Sequence, residues 1–125
     1  MKKLILYLWQ LPQNLLGLLV ICFSRAWTYG RNNVWWTEYL FGVSLGNYII
    51  LNKNSSTHSV KHEQGHQKQS LYLGWLYLII IGLPSAIGNL YDRWFHKYWD
   101  LEKRIKWYYN QPWEKWADKL GGVVR

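Results

Sequence analysis

Residues 58–70, His58-Ser59-Val60-Lys61-His62-Glu63-Gln64-Gly65-His66-Gln67-Lys68-Gln69-Ser70, decide how the chain is read. Nothing in them breaks a helix, and the polar run Lys53-Asn54-Ser55-Ser56-Thr57 before them ends in residues able to cap one. On a helix beginning near His58 or Ser59, His62 and His66 leave the same face one turn apart. Two neutral imidazole nitrogens so placed can bind one zinc at about 2.0–2.1 Å. Glu63 is turned by about 100° from His62. That is too far round for a third ligand, but within reach of a water polarised by the cation. Glu63 would take that water's proton as it attacks a peptide carbonyl, and return it to the leaving amine. Gly65 leaves space beside the helix where another backbone can pass closely.

A catalytic zinc needs a third protein ligand and one open position. The segment Glu114-Lys115-Trp116-Ala117-Asp118 supplies candidates four residues apart on one face of a short helix over 112–120. Pro112 opens that helix and Gly121-Gly122 end it. Glu114 is the expected ligand, with Asp118 accepting a hydrogen bond from the outer nitrogen of a ligand histidine. Asp118 as the ligand is the alternative. His58 shares the face of His62, either as a solvated residue at the helix start or as a fourth ligand that would make the site structural. Tyr108 and Tyr109 are candidates for donating to a tetrahedral intermediate or for anchoring at an interface.

HEQGH followed by EKWAD resembles the HExGH and ExxAD pair of the membrane gluzincins, the group of HtpX-like and CAAX prenyl peptidases. The resemblance implies that His62, His66 and Glu114 bind zinc, that Glu63 is the catalytic base, and that Asp118 orients a histidine. It covers about a dozen positions, and the phrases HEQGHQKQS, YLIIIGLPS and WEKWADKLGGV are also similar to small bacterial proteins. The chain is much shorter than members of that group and has fewer apolar helices, so no substrate class carries over. The group's edge strand beside the metal, to which a substrate can add, implies that role for Asn47 to Asn52.

Outward from the motif, the composition points to a lipid surface. Ten tryptophans and ten tyrosines in 125 residues exceed what a small core uses, and such rings suit the membrane–water boundary. The net charge of +8 comes from basic residues flanking apolar runs, which fits anionic headgroups better than nucleic acid. No groove-reading or single-strand-binding pattern accompanies it, so nucleic acid is not an expected partner. The mean hydropathy of −0.24 averages strongly apolar and strongly charged stretches. The lone Cys22, in an apolar run, excludes an intrachain disulfide.

These readings predict one mainly α-helical domain with one β-hairpin, a minimal zincin-like fold associated with a membrane. Residues 1–26 form a retained apolar anchor helix in which the polar Gln10-Leu11-Pro12-Gln13-Asn14 faces protein rather than lipid. Residues 34–52, β-branched and aromatic, form the hairpin with its turn at Leu45-Gly46. A helix over 58–82 ends in a kink at Gly82-Leu83-Pro84-Ser85. An amphipathic interfacial helix over 90–109 follows. Two complete spans would leave the motif and Glu114 on opposite membrane faces, so either that helix, roughly 30 Å long, returns toward the motif or the 58–82 helix is only partly inserted. The expected partners are a lipid bilayer, as in a bacterial inner membrane, and a peptide or membrane-protein substrate. A non-enzymatic membrane adaptor or toxin-like protein, or an inactive metal-binding relative, is the competing class.

Overall fold

The computed structural model of the chain describes residues 2–28, 34–39 and 42–125. It is mainly helical with a small three-stranded sheet. The expected anchor over 1–26 is two helices, α1 (Lys2–Trp9) and α2 (Leu11–Phe23), bent by 82° at Gln10. Polar side chains hold the bend to the interior, as their place in an apolar run requires. Gln13 Nε2 donates to Ser70 Oγ and to the Gly74 carbonyl, both at 2.8 Å. Ser70 Oγ donates to Gln10 Oε1 at 2.6 Å, and Asn14 Oδ1 accepts from the Asn47 amide at 2.7 Å. Each buried amide thus finds a partner on another element, tying α2 to the motif helix and the sheet.

The sheet corrects the simple hairpin. Its strands β1 (Val34–Thr37), β2 (Gly42–Leu45) and β3 (Tyr48–Asn52) lie in the order β1-β3-β2. β2 and β3 form the hairpin around Gly46-Asn47, but the expected first arm is split at Glu38-Tyr39, and β1 pairs with β3 in parallel. Thr37 explains part of the split: its hydroxyl donates to the Ser24 carbonyl at 2.6 Å and accepts from the Tyr39 amide at 3.2 Å, turning the chain away. Phe41 and Leu40 lie outside the described residues. Ile49, Ile50 and Leu51 are all buried, as a central strand covered on both faces demands. The strand expected at the substrate edge is therefore in the middle, and the edges are β1, bridged at Trp36 to Trp27, and β2.

α3 (Thr57–Leu73) carries the motif, capped by Ser56, whose hydroxyl accepts from the Ser59 amide. The helix expected to reach residue 82 stops at Leu73, and the kink falls at Gly74 rather than at Gly82–Ser85. A 3₁₀ turn (Gly74–Leu76) and a π turn (Leu78–Gly82) lead into α4 (Leu83–Phe95), with 118° between the two arms. Gly74 has φ 55° and ψ −128°, a backbone open essentially to glycine, and a Cβ there would fall on the Trp9 ring. The reversal is clamped reciprocally. The Trp9 indole donates to the Leu71 carbonyl and the Trp75 indole to the Leu8 carbonyl, both at 2.8 Å, so each helix end has its carbonyl satisfied by the other. Gly74→Ala should lower unfolding free energy by about 2 kcal/mol or more, from backbone strain and overpacking together, measurable by urea denaturation.

The helix expected over 90–109 is also broken. α4 ends at Phe95, and α5 (Leu101–Tyr109) restarts after an Asp100 cap that accepts from the Lys103 amide at 2.7 Å. Asp92 pins the turn: it accepts from His96 Nδ1 at 3.1 Å and from the Arg104 fork at 2.8 and 3.0 Å, and the His96 ring stacks on Trp99 at 3.6 Å. The Arg104 guanidinium and the His96 ring hold the Asp92 carboxyl below its usual range against the effect of burial. α6 (Pro112–Gly121) then lies against α3 and ends at a left-handed Gly122. No single described helix is long and apolar enough to cross a membrane; the two bent pairs meet the length and composition of a span only together.

Candidate metal centre

The close crossing of α3 and α6 builds the site. A Cβ on Gly65 would fall on the Ala117 carbonyl, and one on Gly121 would fall on the Lys61 carbonyl. Two glycines thus let the helices meet backbone to backbone, and the room expected beside Gly65 is filled by α6 itself. That contact carries Glu114 and Asp118 to the histidine face.

Glu114 Oε2 lies 2.8 Å from His62 Nε2 and 3.1 Å from His66 Nε2. Two ligands at about 2.0–2.1 Å around a tetrahedral cation stand roughly 3.3 Å apart. The carboxylate oxygen already stands at nearly that spacing from each imidazole nitrogen. All three side chains are buried, Glu114 completely, and the group could hold a metal ion.

Each donor is held from behind. His62 Nδ1 donates to Asp118 Oδ1 at 2.6 Å, and His66 Nδ1 donates to Gln69 Oε1 at 2.6 Å. Gln69 is oriented in turn by its Nε2, which donates to the Trp113 carbonyl at 2.9 Å. With a proton fixed on each Nδ1, a cation that displaced the protons shared with Glu114 would meet both Nε2 lone pairs pointing inward, the tautomer it needs. Ser85 Oγ donates to Glu114 Oε1 at 2.6 Å, which leaves Oε2 facing the two imidazoles. Asp118 thus meets the far side of the His62 ring and lies outside the group of three. His58 is exposed at the start of α3 and lies outside the cluster of three found among the described residues.

The electrostatics agree with the geometry. Burial would raise the Glu114 carboxyl, but hydrogen bonds from His62, His66 and Ser85 hold it well below the usual carboxylate range. Burial opposes a charged His66, yet its bond to Glu114 and the nearby Glu63 carboxylate outweigh that and push it up to about 9. His66 and Glu114 thus share a proton whose place a cation can take.

Glu63 is 9% exposed, and its Oε2 is buried without a hydrogen-bond partner. Burial pushes its carboxyl up, opposed by His66 and His62 and aided by Glu114. Its side chain lines the cleft reaching His62 and also the cleft reaching His66. Tyr108 lines both clefts too; burial and the Glu114 and Glu63 carboxylates raise its phenol far above the usual value, so it keeps its proton and can donate. The Tyr109 ring meets His62 edge-on at 4.9 Å. Both tyrosines turn to the site.

Sequence reading missed Gln69, Ser85 and Arg125. Gln69 follows His66 by three and shares its face, a signal that was available. Ser85 arrives only through the reversal at Gly74. Arg125 donates from Nε to Asp118 Oδ2 at 2.7 Å and lies 3.5 Å over the Tyr109 ring, closing a circuit of Asp118, His62 and Tyr109 around one imidazole. Arg125→Met should weaken divalent-cation binding by about tenfold, the lower end of the cost of losing a ligand's supporting partner. Arg125→Lys should recover part of it, because an ammonium pairs with Asp118 but neither forks nor stacks as a guanidinium does. Cation titration of both variants measures this, with far-UV circular dichroism expected to stay unchanged.

No protein-family model matches the chain, and neither a curated protein nor a solved structure does. The functional reading rests on the chemistry of the site.

Proposed function

We propose that the protein is a zinc-dependent peptidase of the gluzincin kind, working at a membrane surface, with zinc held by His62, His66 and Glu114. The observation that carries the reading is a buried, unpartnered Glu63 carboxylate next to a preoriented set of two imidazoles and one carboxylate. That donor set, with a position left open, is the one catalytic zinc uses. When bound there, zinc supplies Lewis acidity for a carbonyl and lowers the pKa of water.

The residues of the chain then have defined work. Glu63 accepts one proton from the attacking water, whose oxygen bonds to the carbonyl carbon. As the C–N bond breaks, the amine nitrogen takes its electron pair and receives that proton back from Glu63. Tyr108 donates its hydroxyl proton in a hydrogen bond toward the charge that develops on the carbonyl oxygen. Asp118, Gln69 and Ser85 keep the ligand atoms in place. β2, at the sheet edge, is the strand a peptide can extend.

Membrane association is supported by the outer surfaces of α1, α2 and α4. Leu4, Ile5, Leu19, Phe23, Ile87 and Trp94 are among many large apolar residues left exposed there. Trp75 and Tyr98 are exposed as well, in a chain of net charge +8.

Metal analysis of the full chain purified in detergent, beside Glu114→Ala, tests the proposal. One zinc per chain in the wild type, and a large loss of zinc from the folded variant, are expected. The same preparation should float with anionic lipid vesicles. Well-folded, zinc-free wild type that still floats would point instead to a non-enzymatic membrane adaptor.

A further inference from the structure

Two clefts meet at Glu63, and their walls differ in chemistry. One, of about 360 Å³, carries Ser59, Asp92, Arg93 and Arg104 beside Leu51, Leu101 and Ile105. The other, of about 510 Å³, is walled by Leu16, Val20, Leu45, Leu78, Leu83 and Ala86. Glu63, Asn89 and Tyr108 line both. Each has a volume in the range of clefts that enclose ligand groups, about 300–1,000 Å³.

The apolar cleft opens on the apolar outside of the molecule. Leu16 and Leu83, in its wall, are themselves 40% and 55% exposed. Their helix neighbours Leu15, Leu19, Ile87 and Leu90 are exposed as well. The other cleft opens between α4 and α5, where Asp92 and Arg104 form their ion pair at 2.8 Å. An extended chain passing Glu63 therefore has a mainly hydrocarbon wall on one side and, on the other, charged side chains set among apolar ones. At the junction stands the unpartnered Glu63 oxygen, on a side chain that is only 9% exposed.

We propose that the substrate is a peptide presented from the lipid surface and cut where a bulky apolar stretch gives way to a polar one, with the apolar residues lodged between α2, β2 and α4. This deepens the peptidase reading and rests on it. It assigns Val20 on α2 and Ala86 on α4, which both line the apolar cleft, as specificity-determining positions. A lipid-embedded segment reaches the cleft with little exposure of its hydrocarbon to water, because the surface around the mouth is apolar too. The polar side of the bond remains where charged side chains and water can solvate it.

The test measures binding first. The zinc-loaded, full-length Glu63→Gln variant is titrated by fluorescence anisotropy with three labelled peptides. One is a block peptide of large apolar then polar residues, one a scramble of the same composition, and one an all-polar control. The block peptide should bind about tenfold or more tighter than either. Adding Ala86→Trp or, separately, Val20→Trp should remove that advantage and leave zinc stoichiometry unchanged. Wild type should cut the block peptide at its border, read by mass spectrometry. Equal binding of block and scramble, or an advantage that survives both tryptophan variants, overturns the inference. Cleavage of a general substrate such as casein without preference for the block peptide overturns it while the peptidase reading stands. Preferential binding by Glu63→Gln, with no peptide cut by zinc-loaded wild type, supports the cleft assignment and overturns the peptidase reading.

Discussion

Glu63→Gln should keep one zinc per chain and lose peptidase activity by about a hundred- to ten-thousand-fold, the range general-base catalysis contributes. The side chains have nearly the same volume, so the ligand cluster one residue away is not disturbed. What changes is basicity: an amide cannot take the proton of the attacking water. The same substitution should leave the melting temperature unchanged or raise it. In the folded protein the carboxylate is desolvated with one oxygen unpartnered, and burial already pushes its pKa up. Removing a buried charge of that kind relieves a cost. Loss of catalysis combined with undiminished stability is what distinguishes a catalytic group from a structural one. Metal analysis, peptide turnover and thermal melting on one preparation read all three quantities. Turnover above a tenth of wild type would remove Glu63 from the reaction.

Gly65→Ala should have the largest effect on the fold. The added methyl lands on the Ala117 carbonyl, a backbone atom of a helix that is itself packed, so nothing flexible can yield. α6 must then move away from α3, and Glu114 leaves the two imidazoles it now meets at 2.8 and 3.1 Å. We expect destabilisation of about 3 kcal/mol or more, at the upper end of overpacking costs. Zinc affinity should fall more than a hundredfold, because a bond lost to one of three ligands is not replaced. Gly121→Ala should act in the same direction through the Lys61 carbonyl. Gly122→Ala is the control: a Cβ there meets nothing within 4 Å, so only its φ of 74° is strained. Its cost should be about 1–2 kcal/mol with zinc binding kept. Urea denaturation and zinc titration of the three variants separate close approach from backbone strain. Wild-type affinity and stability in Gly65→Ala would mean that the two helices do not cross at this point.

The elements that short-range rules control were readable without coordinates. A helical repeat puts His62 and His66 on one face and Glu114 and Asp118 on another, whatever surrounds them. Ser56, Pro112 and Gly122 act through their own backbone neighbours, so both helix starts and the last helix end follow from adjacent residues. Gly65 is legible because the absence of a side chain leaves room only another backbone can use. The buried Gln13 and Asn14 were foreseen on the same footing, since amides in an apolar run must find partners somewhere.

The contrary cases share one property: the deciding partner is far along the chain. An isolated glycine costs a helix only about 1 kcal/mol, so nothing near Gly74 obliges the helix to stop there. Trp9 does, from 62 residues before the Leu71 carbonyl it caps. The amphipathic period of 90–109 runs unbroken through residues that Asp92, by gathering His96 and Arg104, folds into a turn. β1 joins β3 in parallel across the β2 hairpin arm, a pairing without a local turn to announce it, and this takes β3 from the sheet edge to its middle. Ser85 reaches Glu114 only because of the 118° reversal. The sequence by itself determined which side chains share a helical face and where caps fall, since 3.6-residue periodicity and hydrogen bonding within one turn are local. Tertiary structure alone decided that the two faces meet, because that depends on the absence, at Gly65 and Gly121, of Cβ atoms that would collide with the backbone of the facing helix.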